Sequence, residues 1–133
     1  MNKLYAELAL LVNAVEGCKR NGNEEWRRKH EARAHKLVKE YMPSGSGFDT
    51  GTQLDISCST TNELIFTVGF HHMNPEGFYD GWTSHSVTVK PSLAFGIEIK
   101  VGGRDRNDIK DYIHEAFHSC LVREVPHPIP QEA

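Results

Sequence analysis

The spacing of apolar residues in this 133-residue chain changes at Pro43–Gly47, and the change separates a helical half from one that alternates. Before it, Leu4, Leu8, Leu11, Val15 and Cys18 recur at intervals of three and four, which predicts an amphipathic helix over residues 3–20. Asn21-Gly22-Asn23 then supplies a stop and a cap. A second helix is expected from Glu24 to about Tyr41, with Trp26, His30, Leu37, Val38 and Tyr41 along one stripe. The two read as an αα-hairpin over residues 3–41, and Pro43-Ser-Gly-Ser-Gly47 has the composition of a connector.

Past the connector the period is two. Leu54, Ile56 and Cys58 predict a short strand, and Leu64, Phe66, Val68 and Phe70 a longer one. Val87 and Val89 mark a third, and Phe95, Ile97, Ile99 and Val101 a fourth. Thr/Asn, Asn-Pro-Glu-Gly and Lys-Pro-Ser turn chemistry separates the runs, so the simplest topology is an antiparallel meander of about four strands within residues 50–101. The helical period returns from Asn107 to Val122, with Ile109, Tyr112, Ile113, Ala116, Phe117, Cys120 and Leu121 on the apolar stripe. The fold class is therefore α+β, one domain over residues 1–125, followed by a frayed proline-rich tail from Pro126 to Ala133.

A chain of this length can bury a core without disulfides or metals. Cys18, Cys58 and Cys120 are odd in number and far apart, which predicts free buried thiols in a reducing compartment. There is no signal-peptide pattern and no apolar run of membrane-spanning length, so a soluble, cytoplasmic protein without a membrane partner is expected. Charge is uneven. Between Arg20 and Lys39 seven Lys or Arg stand against three Glu, whereas from Glu40 to Lys90 only Lys90 is basic. A basic helix of that kind is either a solvated face or an anion or partner contact.

Three segments carry candidate chemistry. Phe70–His85 gathers four aromatic residues and three histidines with Asn74, Asp80 and glycine-bearing turns. It reads as a recognition loop whose Phe78, Tyr79 and Trp82 either pack internally or contact a ligand. His71 and His72 end a strand and should point to opposite faces, which opposes a shared metal. Gly102-Gly103-Arg104-Asp105-Arg106-Asn107-Asp108 opens the last helix. Two glycines, free amides and two arginines make either an anion cradle or a capped tight turn. Finally, His114-Glu115-Ala116-Phe117-His118 matches HExxH, in which two imidazoles would hold zinc and Glu115 would polarise water. No third ligand stands at a familiar spacing, and the helical wheel puts both histidines off the apolar stripe. A small zinc-dependent hydrolase is thus the alternative reading. No GxSxG elbow or Walker loop is present.

Four stretches, Tyr5–Trp26, Pro43–Thr52, Phe70–Leu93 and Gly102–Ile113, together resemble the first described of the two phage anti-Thoeris sponge families. The resemblance runs to about Val125 and is densest from Val68 to Ile113. It implies a non-enzymatic protein, without catalytic residues, metal or cofactor, that sequesters the cyclic ADP-ribose isomers made by bacterial TIR-domain defence enzymes. It also implies dimers assembled into a hexamer, pockets between subunits, and in some members a second set of sites for cyclic oligonucleotides. The setting would be the cytoplasm of an infected bacterium, with no polymeric nucleic acid as partner. Such a ligand has adenine, two riboses and a pyrophosphate. Phe78 or Trp82 suits the base, Arg104 and Arg106 the pyrophosphate, and Asn74, Asp80 or Asp108 the ribose hydroxyls. His71 belongs with the aromatic segment, and Arg27 and Arg28 offer a second anion contact from a neighbouring subunit.

Overall fold

The computed structural model describes residues 3–44, 47–73, 76–93, 96–103 and 107–122, with backbone alone at 49, 50, 72, 73, 79 and 80. Its elements are α1 (Lys3–Asn21), α2 (Glu24–Tyr41), β1 (Phe48–Leu54), a 3₁₀ turn (Ile56–Cys58), β2 (Leu64–Met73), β3 (Tyr79–Ser92), β4 (Gly96–Val101) and α3 (Asn107–Leu121). The strands form one antiparallel sheet in sequence order. The α+β class, helical pair, four-stranded meander and last helix are as the periodicity predicts.

Alternation decides the sheet's two faces. Leu54, Leu64, Phe66, Val68, Val87, Val89, Ile97 and Ile99 point inward and join buried Leu8, Val12, Val15, Leu37, Val38, Ile113 and Phe117 from the helices in one core. Phe66 and Phe117 meet edge to face, centroids 5.5 Å apart. At the end of the sheet where β2 finishes, Phe48, Phe70 and Tyr112 cluster at 5.2–5.9 Å. α3 therefore lies on the inner face. On the outer face His71, Trp82, Ser84, Ser86, Lys90 and Lys100 are exposed.

The strand expected at Leu54–Cys58 is displaced. β1 ends at Leu54, and Ile56–Cys58 is a 3₁₀ turn. Asp55 is the reason. Its carboxylate accepts from the Thr67 hydroxyl at 2.5 Å, and its carbonyl accepts from Ser59 Oγ at 2.9 Å. Such local bonds compete with the ladder and curl the chain. β1 is tied instead to the end of α2, where Thr52 N and Oγ1 both donate to the Pro43 carbonyl.

Three further expectations need correction. Trp26 and Tyr41 are 50% and 53% exposed, so the buried stripe of α2 is Ala34, Leu37 and Val38. Cys58 is exposed and Cys18 partly so, leaving Cys120 as the buried thiol. The Phe70–His85 segment is mostly strand, as described below. No helix among the described residues is long and apolar enough to cross a membrane.

Candidate functional site

The aromatic segment is a long β-hairpin arm. β2 continues through His71 and His72, and β3 begins at Tyr79, so only a short tip remains. Phe70 pairs with Thr83, His71 with Trp82 and His72 with Gly81, with a register shift before Met73. The reason is that the ladder continues past the apolar run: aromatic and hydroxyl side chains suit a pleated surface as well as a loop. The tip itself falls where Asn74-Pro75-Glu76-Gly77 predicts a turn, and Gly77 takes φ +86°. Phe78, just after it, is 70% exposed.

Trp82 and His71 lie side by side on the outer face. The indole of Trp82 rests against Gly69, where a Cβ would come within 2.9 Å of Nε1 and Cζ2. Gly69 is buried beneath it, while Trp82 stays 49% exposed. A glycine inside an apolar strand is a sign of such close approach, and that signal was readable in Val68-Gly69-Phe70. Gly69→Ala should push the indole outward, cost about 1 kcal/mol of stability, and red-shift tryptophan emission. An unshifted spectrum would show that the ring does not rest there.

His85, two positions before Val87, is the residue that the motif reading missed. It is 1% exposed on the inner face. Its Nδ1 lies 3.0 Å from the Gly102 carbonyl and its Nε2 3.1 Å from Thr83 Oγ1. A carbonyl only accepts, so Nδ1 carries a proton. The Gly102 amide donates to the Ser86 carbonyl at 2.7 Å, and Gly103 turns over the ring at φ +118°. These bonds pin the chain leaving β4 to the middle of β3, just ahead of α3. The alternation Thr83, His85, Val87, Val89 was the available clue.

The remaining candidates divide. Asp108 is exposed in the first turn of α3. Arg28 is exposed on α2. Arg27 is engaged: its guanidinium donates to Glu24 at 2.6–3.0 Å and to Glu31 at 2.7 Å. The Arg27 hydrogen bond holds the Glu24 carboxyl below its usual range. A depressed carboxyl stabilises the folded state above its unfolded value and loses that contribution as pH falls. Helicity at the start of α2 should thus decline on acidification below about pH 4.5, and Arg27→Ala should remove this component from a circular-dichroism titration. Asn74, Arg104 and Arg106 lie outside the described residues, as does the side chain of Asp80.

Trp82 and His71 occupy the outer face and α3 the inner one. Within one protomer Trp82 and His71 therefore face the opposite side of the sheet from α3, whereas Phe70 meets Tyr112 of α3 on the inner face.

Within HExxH the two histidines are less exposed than the helical wheel suggests, and Glu115 is on the open side. His114 and His118 are half-buried, and they line a cleft of about 280 Å³ with Ile97, Glu98, Ile99 and Val122. A helical wheel of α3 alone does not show that β4 packs along this side. Glu115 is exposed. Among the described residues no group of three His, Cys, Asp or Glu could hold a metal, whereas catalytic zinc takes three protein ligands. A second cleft, about 300 Å³, lies between α2 and β1, lined by His35, Lys39, Ser44 and Gln53 among others. No family model, curated protein or solved structure matches this chain.

Proposed function

We propose that the protein is a non-enzymatic phage counter-defence sponge. It binds a cyclic nucleotide immune signal, a cyclic ADP-ribose isomer, in the host cytoplasm and keeps it from its effector. One observation carries this reading: half-exposed Trp82, backed by Gly69 and beside His71, with exposed Phe78 at the tip of the same hairpin. An indole supported on one side by backbone offers a flat surface to a base, and stacking on such a surface needs no particular base edge. The glycine-pinned start of α3 supplies the second half of the reading, with amides and the neighbouring Arg104 and Arg106 for the pyrophosphate.

Trp82 and His71 face the opposite side of the sheet from α3, so one protomer does not bring that pair to the helix start. The proposed pocket takes the hairpin of one subunit and the helix start of another, in an oligomer built from dimers as the family resemblance implies. Sequestration needs binding without turnover. Incubation with a cyclic ADP-ribose isomer followed by heat denaturation should return the ligand unchanged. Recovery of a linear product, or no binding at all, would end the proposal. Native mass spectrometry of freshly purified protein reads subunit number and any retained nucleotide in one measurement.

A further inference from the structure

The HEAFH segment, without a third ligand among the described residues, still holds two imidazoles one helical turn apart. Spacing of i and i+4 sets both on one side of α3, and both line the cleft beside β4. Their rings stack at 21° with centroids 6.3 Å apart. His118 Nδ1 is buried and has no hydrogen-bond partner among the described residues. Buried imidazole nitrogens are ordinarily satisfied, so one left unclaimed beside a second histidine calls for an explanation.

We propose that His114 and His118 form a two-imidazole site for a borderline divalent transition metal ion, Ni²⁺, Cu²⁺ or Zn²⁺. Neutral imidazole suits these ions, and a helical His-x-x-x-His pair supplies two nitrogens to one of them. Metal–nitrogen bonds of about 2 Å require the rings to tilt together from their stacked separation. Ile97, Ile99 and Val122 wall the cleft and limit solvent on that side, as the apolar shell of a metal site does. Glu98 shares the cleft while its carboxylate lies 3.6 Å from Lys90 Nζ. With two protein ligands, water completes the coordination. The site is thus distinct from a hydrolytic centre, and exposed Glu115 has no part in it.

The test uses the full chain, stripped with EDTA and returned to metal-free buffer. Calorimetric titration with NiCl₂ should give one ion per chain, and the electron paramagnetic resonance spectrum of the Cu²⁺ form should show two coupled nitrogens. His114→Ala and His118→Ala should each weaken Ni²⁺ binding at least tenfold, whereas Glu115→Gln and His71→Ala should change it less than twofold. Circular dichroism checks folding, and His114→Asn and His118→Asn replace any alanine variant that unfolds. Absence of saturable binding, fewer than two nitrogens in the spectrum, or affinity unchanged in the histidine variants overturns the assignment. So does a loss that follows His71 or Glu115 instead.

Discussion

Gly103→Ala is expected to lower folding stability by about 2–4 kcal/mol, more than any other single-methyl addition considered above. Two effects add. Gly103 has φ +118°, a conformation that side chains rarely adopt, and a Cβ there would sit 2.7 Å from His85 Nδ1. The imidazole has no room to yield, since it is 1% exposed and bonded at both nitrogens. His85→Ala should itself lose a similar amount, because it opens a cavity and strands the Gly102 carbonyl. The two changes must then be coupled. Removing the ring removes the clash, so the double variant should be more stable than the sum of the single losses predicts, by about 1 kcal/mol or more. Urea denaturation of all four proteins measures the cycle. Strict additivity, or a Gly103→Ala protein as stable as the original, would show that His85 does not fasten the start of α3.

The contrast between what the sequence revealed and what it concealed has a physical basis. The helices were legible because each buries a stripe against something, and intervals of three and four record that directly. The boundaries Glu24–Tyr41 and Asn107–Leu121 match the expected spans to within a residue. β1 was misplaced because Leu54, Ile56 and Cys58 alternate although Asp55 and Ser59 divert the backbone. Periodicity reports which side a residue faces, and side-chain bonds to nearby backbone can override it. The hairpin arm was read as a loop because its ladder is carried by rings, histidines and hydroxyls in place of aliphatic residues.

The site shows a similar division. Residue type and turn chemistry singled out Phe78 and Trp82 as rings for either internal packing or ligand contact; both are exposed, and Trp82 stands on a strand and not on a turn. His85 was not singled out, since nothing about a single histidine distinguishes a ligand contact from a buried anchor until its partners are known. The helical wheel, which puts His114 and His118 off the apolar stripe, did not show that both are half-buried, for a related reason. Helical position describes one helix, whereas their burial is decided by β4, which crosses from elsewhere in the chain. Placement of Trp82 and His71 on the face opposite α3 is likewise a consequence of register, which sequence alone left open.

Trp82→Ala should reduce affinity for a cyclic ADP-ribose isomer by tenfold to a hundredfold. A base stacked on an aromatic side chain contributes about 1–3 kcal/mol, and a factor of ten corresponds to about 1.4 kcal/mol. Trp82→Phe keeps a ring on Gly69 and should retain most of the binding. Phe78→Ala should show the same loss only if the tip ring also stacks. Affinity unchanged from that of the original protein in both alanine variants would remove the hairpin from the site. The arrangement of the two sheet faces makes a second outcome predictable. Trp82→Ala and Arg104→Ala should each be defective alone, yet refolding them together should recover ligand binding. With the proposed intersubunit pocket, a mixed dimer would bring the hairpin of one variant to the helix start of the other and leave one of its two pockets intact. A pocket contained within one subunit cannot be repaired in this way, and mixtures would then remain as inactive as their components.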